Sequence, residues 1–100
     1  MASVLSTRMD DFRDLYFRLV REQAERLLAL AQAQLPPSSM ESLAHLLEHD
    51  EFGLLIEQVG EDMRDADGDV PPEIVAILES LLEVMDIDAP WMEDLRARSI

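Results

Sequence analysis

The chain lacks several residue types, and each absence removes a class of site or fold. None of its 100 residues is cysteine, which excludes disulfides, thiolate zinc sites, iron–sulfur clusters and a cysteine nucleophile. Its 3 glycines and 5 prolines are too few for a turn-rich all-β protein. The apolar runs are much shorter than the roughly 18 residues of a membrane span. No secretory signal is recognisable at the N-terminus, where acids follow the first apolar residues, so we expect a cytoplasmic protein.

Acidic residues outnumber basic ones by 22 to 8, and the excess is confined to one part of the chain. Residues 1–34 carry five acids and five arginines, whereas residues 35–88 carry fifteen acids and a single arginine, Arg64. Such a charge repels the phosphates of nucleic acid and the surface of an anionic membrane, so neither is an expected partner. It attracts a basic protein and speeds the encounter with one.

Apolar residues recur at three- and four-residue spacing along most of the chain, which is typical of helices with one buried face. We predict an all-α fold, a four-helix antiparallel bundle-like single domain with a short C-terminal tail. The predicted helices span about residues 7–34, 39–48, 51–65 and 72–86, and the tail spans residues 89–100. A chain of 100 residues has the size of one domain with a modest core.

The apolar face of the first helix is the longest in the chain, and we expect it to be buried. It comprises Phe12, Leu15, Tyr16, Leu19, Val20, Ala24, Leu27 and Ala31. Ser6 or Thr7 is the predicted N-cap of this helix, and Ser38 with Glu41 forms a predicted capping box for the second helix.

Three other residue types have expected packing roles. Gly53 and Gly60 lie within the third helix, where glycine allows a neighbouring helix to approach closely. Phe52 fits a core position, and Trp91 is expected to fill an edge of the bundle. Phe17 falls off the main apolar face of the first helix, which leaves it exposed, covered by the tail or part of an interface.

The loop after the third helix resembles the start of a calcium-binding loop but is incomplete. Aspartates alternate through residues 65–69, as in an EF-hand. However, Val70 and Ala76 stand where an EF-hand needs a glycine and a bidentate glutamate. We therefore expect a solvated acidic turn or a partner-binding loop at this position.

The two histidines, His45 and His49, have the four-residue spacing of zinc ligands on a helix. The H-E-x-x-H order and a third histidine are absent from the sequence, so we expect a surface pair near a helix C-terminus and no metal centre. The sequence also contains no nucleophile elbow, phosphate loop or dinucleotide fingerprint. We expect a binding protein without a cofactor, and not an enzyme.

The stretch from Leu46 to Glu57 is followed by an acidic helix and a turn. A proline-led helix then begins at Val70-Pro71-Pro72-Glu73 and ends at Met85-Asp86-Ile87-Asp88. Over residues 43–88 this arrangement resembles small helical immunity proteins of bacterial polymorphic toxin systems, of the MafI and contact-dependent growth inhibition type. In that pattern glycine is commoner where Asp86 stands. The resemblance implies a cytoplasmic protein that binds a cognate toxin domain, often a nuclease, and covers its active site or substrate groove.

The leading hypothesis is an immunity protein that neutralises a cognate toxin domain, a basic nuclease, through an acidic surface. The alternative is a helical protein–protein adaptor or regulatory module, such as a homodimer built on exposed apolar residues, and a small acidic enzyme ranks third. The predicted partner-binding residues are the acids of residues 48–69: Glu48, Asp50, Glu51, Glu57, Glu61, Asp62, Asp65, Asp67 and Asp69.

Overall fold

The computed structural model describes the backbone of residues 2–66 and 68–99, and the side chains of residues 12–66 and 68–99. Within these residues the chain forms five helices: α1 (Ala2–Ala31), α2 (Pro37–Glu48), α3 (Phe52–Asp65), α4 (Pro72–Met85) and α5 (Met92–Ala97). The predicted all-α fold is confirmed. Part of the predicted C-terminal tail forms a further short helix, α5.

The first two helices do not begin at the predicted residues. Helix α1 already includes Ala2, so neither Ser6 nor Thr7 is its N-cap. Helix α2 begins at Pro37, with Pro36 as an N-cap that makes no side-chain capping bond, so the predicted capping box is wrong. Proline at the first helical position has a suitable fixed φ and no N–H to satisfy, which lets the helix start before the serines.

Helices α1 to α5 share one hydrophobic core. The side chains that are fully buried in it include Leu27, Leu43, Leu55, Ile56, Met63, Ile74, Leu78 and Leu95. Helix α1 ends at Ala31, three residues before the predicted end, and the N–H of Leu35 donates to the carbonyl of Ala31 at 3.0 Å. This turn brings Leu35 into the core.

Trp91 is buried, as predicted, and it packs directly on the backbone of α3 at Gly60. A Cβ atom at Gly60 would lie 2.3 Å from the indole ring, so glycine is required for this contact. At Gly53 the nearest atom to such a Cβ is Cδ1 of Ile87, at an ordinary 4.0 Å. A close approach therefore occurs at Gly60, where a side chain at the start of α5 makes it, and the interpretation is wrong for Gly53.

The described N-terminal part of α1 lies outside the core. Phe12, Leu15, Tyr16 and Leu19 are 72%, 48%, 38% and 53% exposed, so the prediction that they are buried is wrong. Burial begins only at Val20. The 30 residues of α1 extend about 45 Å, whereas α2, α3 and α4 extend only about 18–21 Å. The long helix therefore projects past the elements that would cover it.

Candidate partner-binding surface

The predicted acidic residues lie along α3 and at both of its ends. Glu57, Glu61 and Asp65 are spaced four residues apart on the helix side opposite the buried residues Val59 and Met63. We call the eight described acids the acidic surface: Glu48, Asp50, Glu51, Glu57, Glu61, Asp62, Asp65 and Asp69. Asp67 lies outside the described residues. Seven of the eight are exposed, and Asp62 is half-buried.

Few of these carboxylates are neutralised within the protein. Among the described side chains, ion pairs reach only Asp50, from Arg21, and Asp65, from its neighbour Arg64 at 3.6 Å. Asp62 accepts a hydrogen bond from Gln58 Nε2 at 2.8 Å. The other acids of the surface project negative charge into solvent, where it is available to a partner.

Asp50 links the acidic surface to α1. Its carboxylate accepts a hydrogen bond from Arg21, whose Nη2 also donates to the carbonyl of Leu47 at 3.2 Å. The hydrogen bond with Asp50 raises the pKa of Arg21 above its ordinary value. The Arg21 guanidinium also lies 5.9 Å from the centre of the Phe52 ring, within cation–π range. Asp50 therefore holds the α2–α3 turn against α1.

The loop that follows α3 is held by Arg98, which the sequence analysis did not single out. The Arg98 guanidinium donates to the carbonyls of Met63 and Arg64 at 3.0 Å, and to those of Ala66 and Gly68. In addition, the N–H of Val70 donates to the carbonyl of Arg98 at 3.0 Å. The tail thus fixes the segment from which Asp65 and Asp69 project.

A second acidic region lies between α4 and α5, outside the predicted set. Five acids and Arg96 line an open groove of about 870 Å³ whose apolar walls include Leu82, Ile87 and Met92. The acids are Glu79, Glu83, Asp86, Asp88 and Glu93. Arg96 Nε is 2.5 Å from the carboxylate of Glu79. Four of these acids belong to the acidic part of the chain, residues 35–88. They line one groove only because the tail folds back against α4.

The two histidines lie at the end of α2, as the sequence predicts, and both are exposed. Glu48 joins them, so that one possible ligand atom from each of the three side chains lies within 4.8 Å of the others. The spacing of three and four residues puts His45, Glu48 and His49 on one side of the helix.

Comparison of the chain with protein-family models, curated proteins and solved structures gives no match. Among the described residues, no helix combines the length and the apolar character needed to cross a membrane.

Proposed function

We propose that this chain is a cytoplasmic immunity protein, which has no chemistry of its own and neutralises a basic toxin domain by binding it through the acidic surface. The observation that carries this proposal is the line of exposed acids on α3, in which Glu57 and Glu61 form no ion pair with any described side chain. Glu57 and Glu61 are separated by one turn, about 6 Å along the axis, with Asp65 another turn further on.

The charge of a nuclease explains why such a surface would inhibit it. A nuclease binds the phosphate backbone with arginine and lysine side chains, which attract any regular row of negative charges. Carboxylates held on a rigid helix need little reorganisation to meet those cations. An acidic surface seated there would cover the groove that the nucleic acid occupies.

Co-expression provides the direct test. The toxin domain encoded beside this chain in its genome should stop bacterial growth when it is expressed alone. Growth should resume when the chain is co-expressed, and the two proteins should co-purify as a complex of defined stoichiometry. A toxin domain that stays lethal in the presence of the folded chain contradicts the proposal.

A matched pair of variants tests the surface itself. The change of Glu57 and Glu61 to lysine should lower the association rate at least about tenfold, because steering by charge is lost. The control changes Asp14 and Glu22 of α1 to lysine, which alters net charge equally at two exposed sites elsewhere. Equal effects of the two pairs would mean that net charge acts without a defined surface.

Competition with substrate tests how inhibition occurs. If the acidic surface covers the nucleic-acid groove, saturating substrate should relieve the inhibition of the toxin. Inhibition that is unchanged at saturating substrate would place the contact outside the active site. That result would keep the immunity function but overturn the occlusion mechanism.

A second candidate function, a helical interaction module that forms a homodimer, is favoured by the exposed side of α1. The exposed part of the α1 apolar face comprises four residues that follow one another at helical spacing: Phe12, Leu15, Tyr16 and Leu19. Contiguous apolar patches of this kind mark interaction sites. The occupant we propose is the same face of a second copy.

Charge favours a second copy at this position. Two chains that each carry −14 repel one another, but residues 1–34 have no net charge. Tyr16 and Phe17 already make an edge-to-face contact at 5.9 Å, and aromatic side chains add area at little conformational cost. The exposed part of α1 thus offers apolar side chains for self-association on a segment without net charge.

Sedimentation equilibrium should therefore detect a dimer. The change of Leu15 and Leu19 to serine should weaken dimerisation at least about tenfold, since burial of each leucine contributes roughly 1.5–3 kcal/mol. The control changes Leu54 and Val84, two exposed aliphatic residues on α3 and α4, to serine. A monomeric wild-type chain, or equal effects of the two pairs, would contradict the homodimer.

A further inference from the structure

The end of α2 carries three side chains that are able to bind one metal ion. His45, Glu48 and His49 are all exposed, and one ligand atom from each lies within 4.8 Å of the other two. The imidazole centres of the two histidines are 4.4 Å apart, with the rings tilted by 48°. The three side chains therefore converge above a single turn of helix.

A hydrogen bond prepares His49 for this role. Its Nδ1 lies 2.9 Å from the carbonyl oxygen of His45. Because a carbonyl oxygen only accepts, the neutral imidazole donates from Nδ1 and keeps the lone pair on Nε2. Metal-binding histidines are commonly oriented by such a bond from the nitrogen that does not bind the metal. The contact is independent of the clustering of the three residues.

We propose that His45, Glu48 and His49 form a site for a divalent transition metal, with Zn²⁺ as the best-matched ion. Two imidazoles and one carboxylate are a ligand set that zinc uses, with bonds of about 2.0–2.2 Å and a fourth position open to water. Exposed side chains reach this geometry by rotation, without repacking of the core. Calcium and magnesium prefer oxygen ligands alone and match the site poorly.

This inference goes beyond the proposed function and does not depend on it. Glu48 also belongs to the acidic surface, so a bound ion would place positive charge at one edge of that surface. The metal can be studied on the isolated chain, whereas the proposed function requires a toxin. Failure of one therefore leaves the other standing.

Calorimetric titration of the chelator-treated full chain with ZnCl₂ is the decisive experiment. We expect one Zn²⁺ per chain, and we expect His45→Ala to weaken its binding at least about tenfold. The control variant is Glu41→Gln, which removes an exposed acid from the same helix but leaves the three ligands intact. Circular dichroism should show that both variants keep the helical fold.

Two results would overturn the proposal. The first is the absence of zinc binding, or an equal loss of zinc affinity in His45→Ala and Glu41→Gln. Equal losses would mean that the acidic charge alone attracts the ion. The second comes from nuclear magnetic resonance of the imidazole nitrogens. Zinc should shift Nε2 of His49 and leave its Nδ1 protonated, so a metal bound through Nδ1 would contradict the geometry. A parallel titration with CaCl₂ should not displace the zinc.

Discussion

Arg98 is the side chain whose removal best tests how the tail supports the loop between α3 and α4. Its guanidinium reaches four backbone carbonyls at or just beyond the end of α3, those of Met63, Arg64, Ala66 and Gly68. Carbonyls at a helix C-terminus lack partners within the helix and need them from elsewhere. The Arg98 side chain is only 23% exposed, so most of it lies against the protein.

The expected cost follows from these contacts. A hydrogen bond with a charged group contributes a net 1.5–3 kcal/mol or so. The four contacts share one side chain and do not add, and water would bond the carbonyls that become exposed. We therefore expect Arg98→Ala to lower the free energy of unfolding by about 2–4 kcal/mol. Arg98→Lys should recover only part of this, because an ammonium group lacks the planar fork.

Urea unfolding measures this loss, and Arg96→Ala is its matched control. Arg96 precedes Arg98 by two residues, but it pairs with a single carboxylate, that of Glu79, in a contact that is 53% and 43% exposed. Exposed pairs of this kind contribute about 0–1 kcal/mol. Hydrogen exchange at Val70 should also accelerate in Arg98→Ala. If the two alanine variants unfold at the same urea concentration, Arg98 does not stabilise the loop as argued.

Three further predictions test the packing and the backbone. Leu78→Ala should cost about 2–5 kcal/mol in urea unfolding, since Leu78 is fully buried, and an unchanged midpoint would mean that the core is misassigned. Gly60→Ala should lower the free energy of unfolding by about 1–3 kcal/mol, because the added methyl group would meet the Trp91 ring. Gly53→Ala should leave the free energy of unfolding unchanged or raise it by up to about 1 kcal/mol. A larger loss for Gly53→Ala than for Gly60→Ala would refute the packing of Trp91. Asp86 has φ 54°, a left-handed conformation that glycine adopts freely and valine does not. Asp86→Gly should therefore raise the melting temperature and Asp86→Val should lower it, each through a change of about 1–2 kcal/mol in the free energy of unfolding. Equal melting temperatures of the two variants would contradict a left-handed backbone.

Periodicity indicated helices with one buried face, and α3 and α4 each have one because other helices pack against them. The same pattern failed at Phe12 and Leu15 of α1. A helical period identifies an apolar side but carries no information about what lies opposite it. Helix α1 is longer than its neighbours, so its N-terminal part has nothing to pack against. This excess length can be recognised only when the bounds of all the helices are known.

The candidate surface shows the same division between local and non-local information. The acids of α3 were identified from charge and helical spacing, both of which are local properties. The groove lined by Glu83 and Glu93 was not, because it exists only where α5 folds back against α4. Arg98 was missed for a related reason: its partners are backbone carbonyls, which leave no signal in a sequence.

Asp86 ends α4 in a conformation that few residues adopt. The structure places it at the left-handed C-cap of the helix. Aspartate tolerates that conformation better than most residues, whereas glycine adopts it without strain.

The two proposed protein contacts respond to salt in opposite directions, and this separates them. Binding of a basic toxin through the acidic surface is strengthened by unscreened charge, so it should weaken as salt is added. A homodimer through the α1 apolar face brings together two chains of charge −14, so it should strengthen as salt screens their repulsion. If two α1 helices pair antiparallel with Tyr16 at the centre, the two Val20 residues lie about 12 Å apart along the helix axis. Val20 is where the core of each chain begins, so this distance separates the two acidic chains. That distance is close to the screening length of about 10 Å at 0.1 M salt, so most of the repulsion is removed at moderate ionic strength. A dimer that weakens as salt is added, or toxin binding that strengthens, would contradict these two contacts.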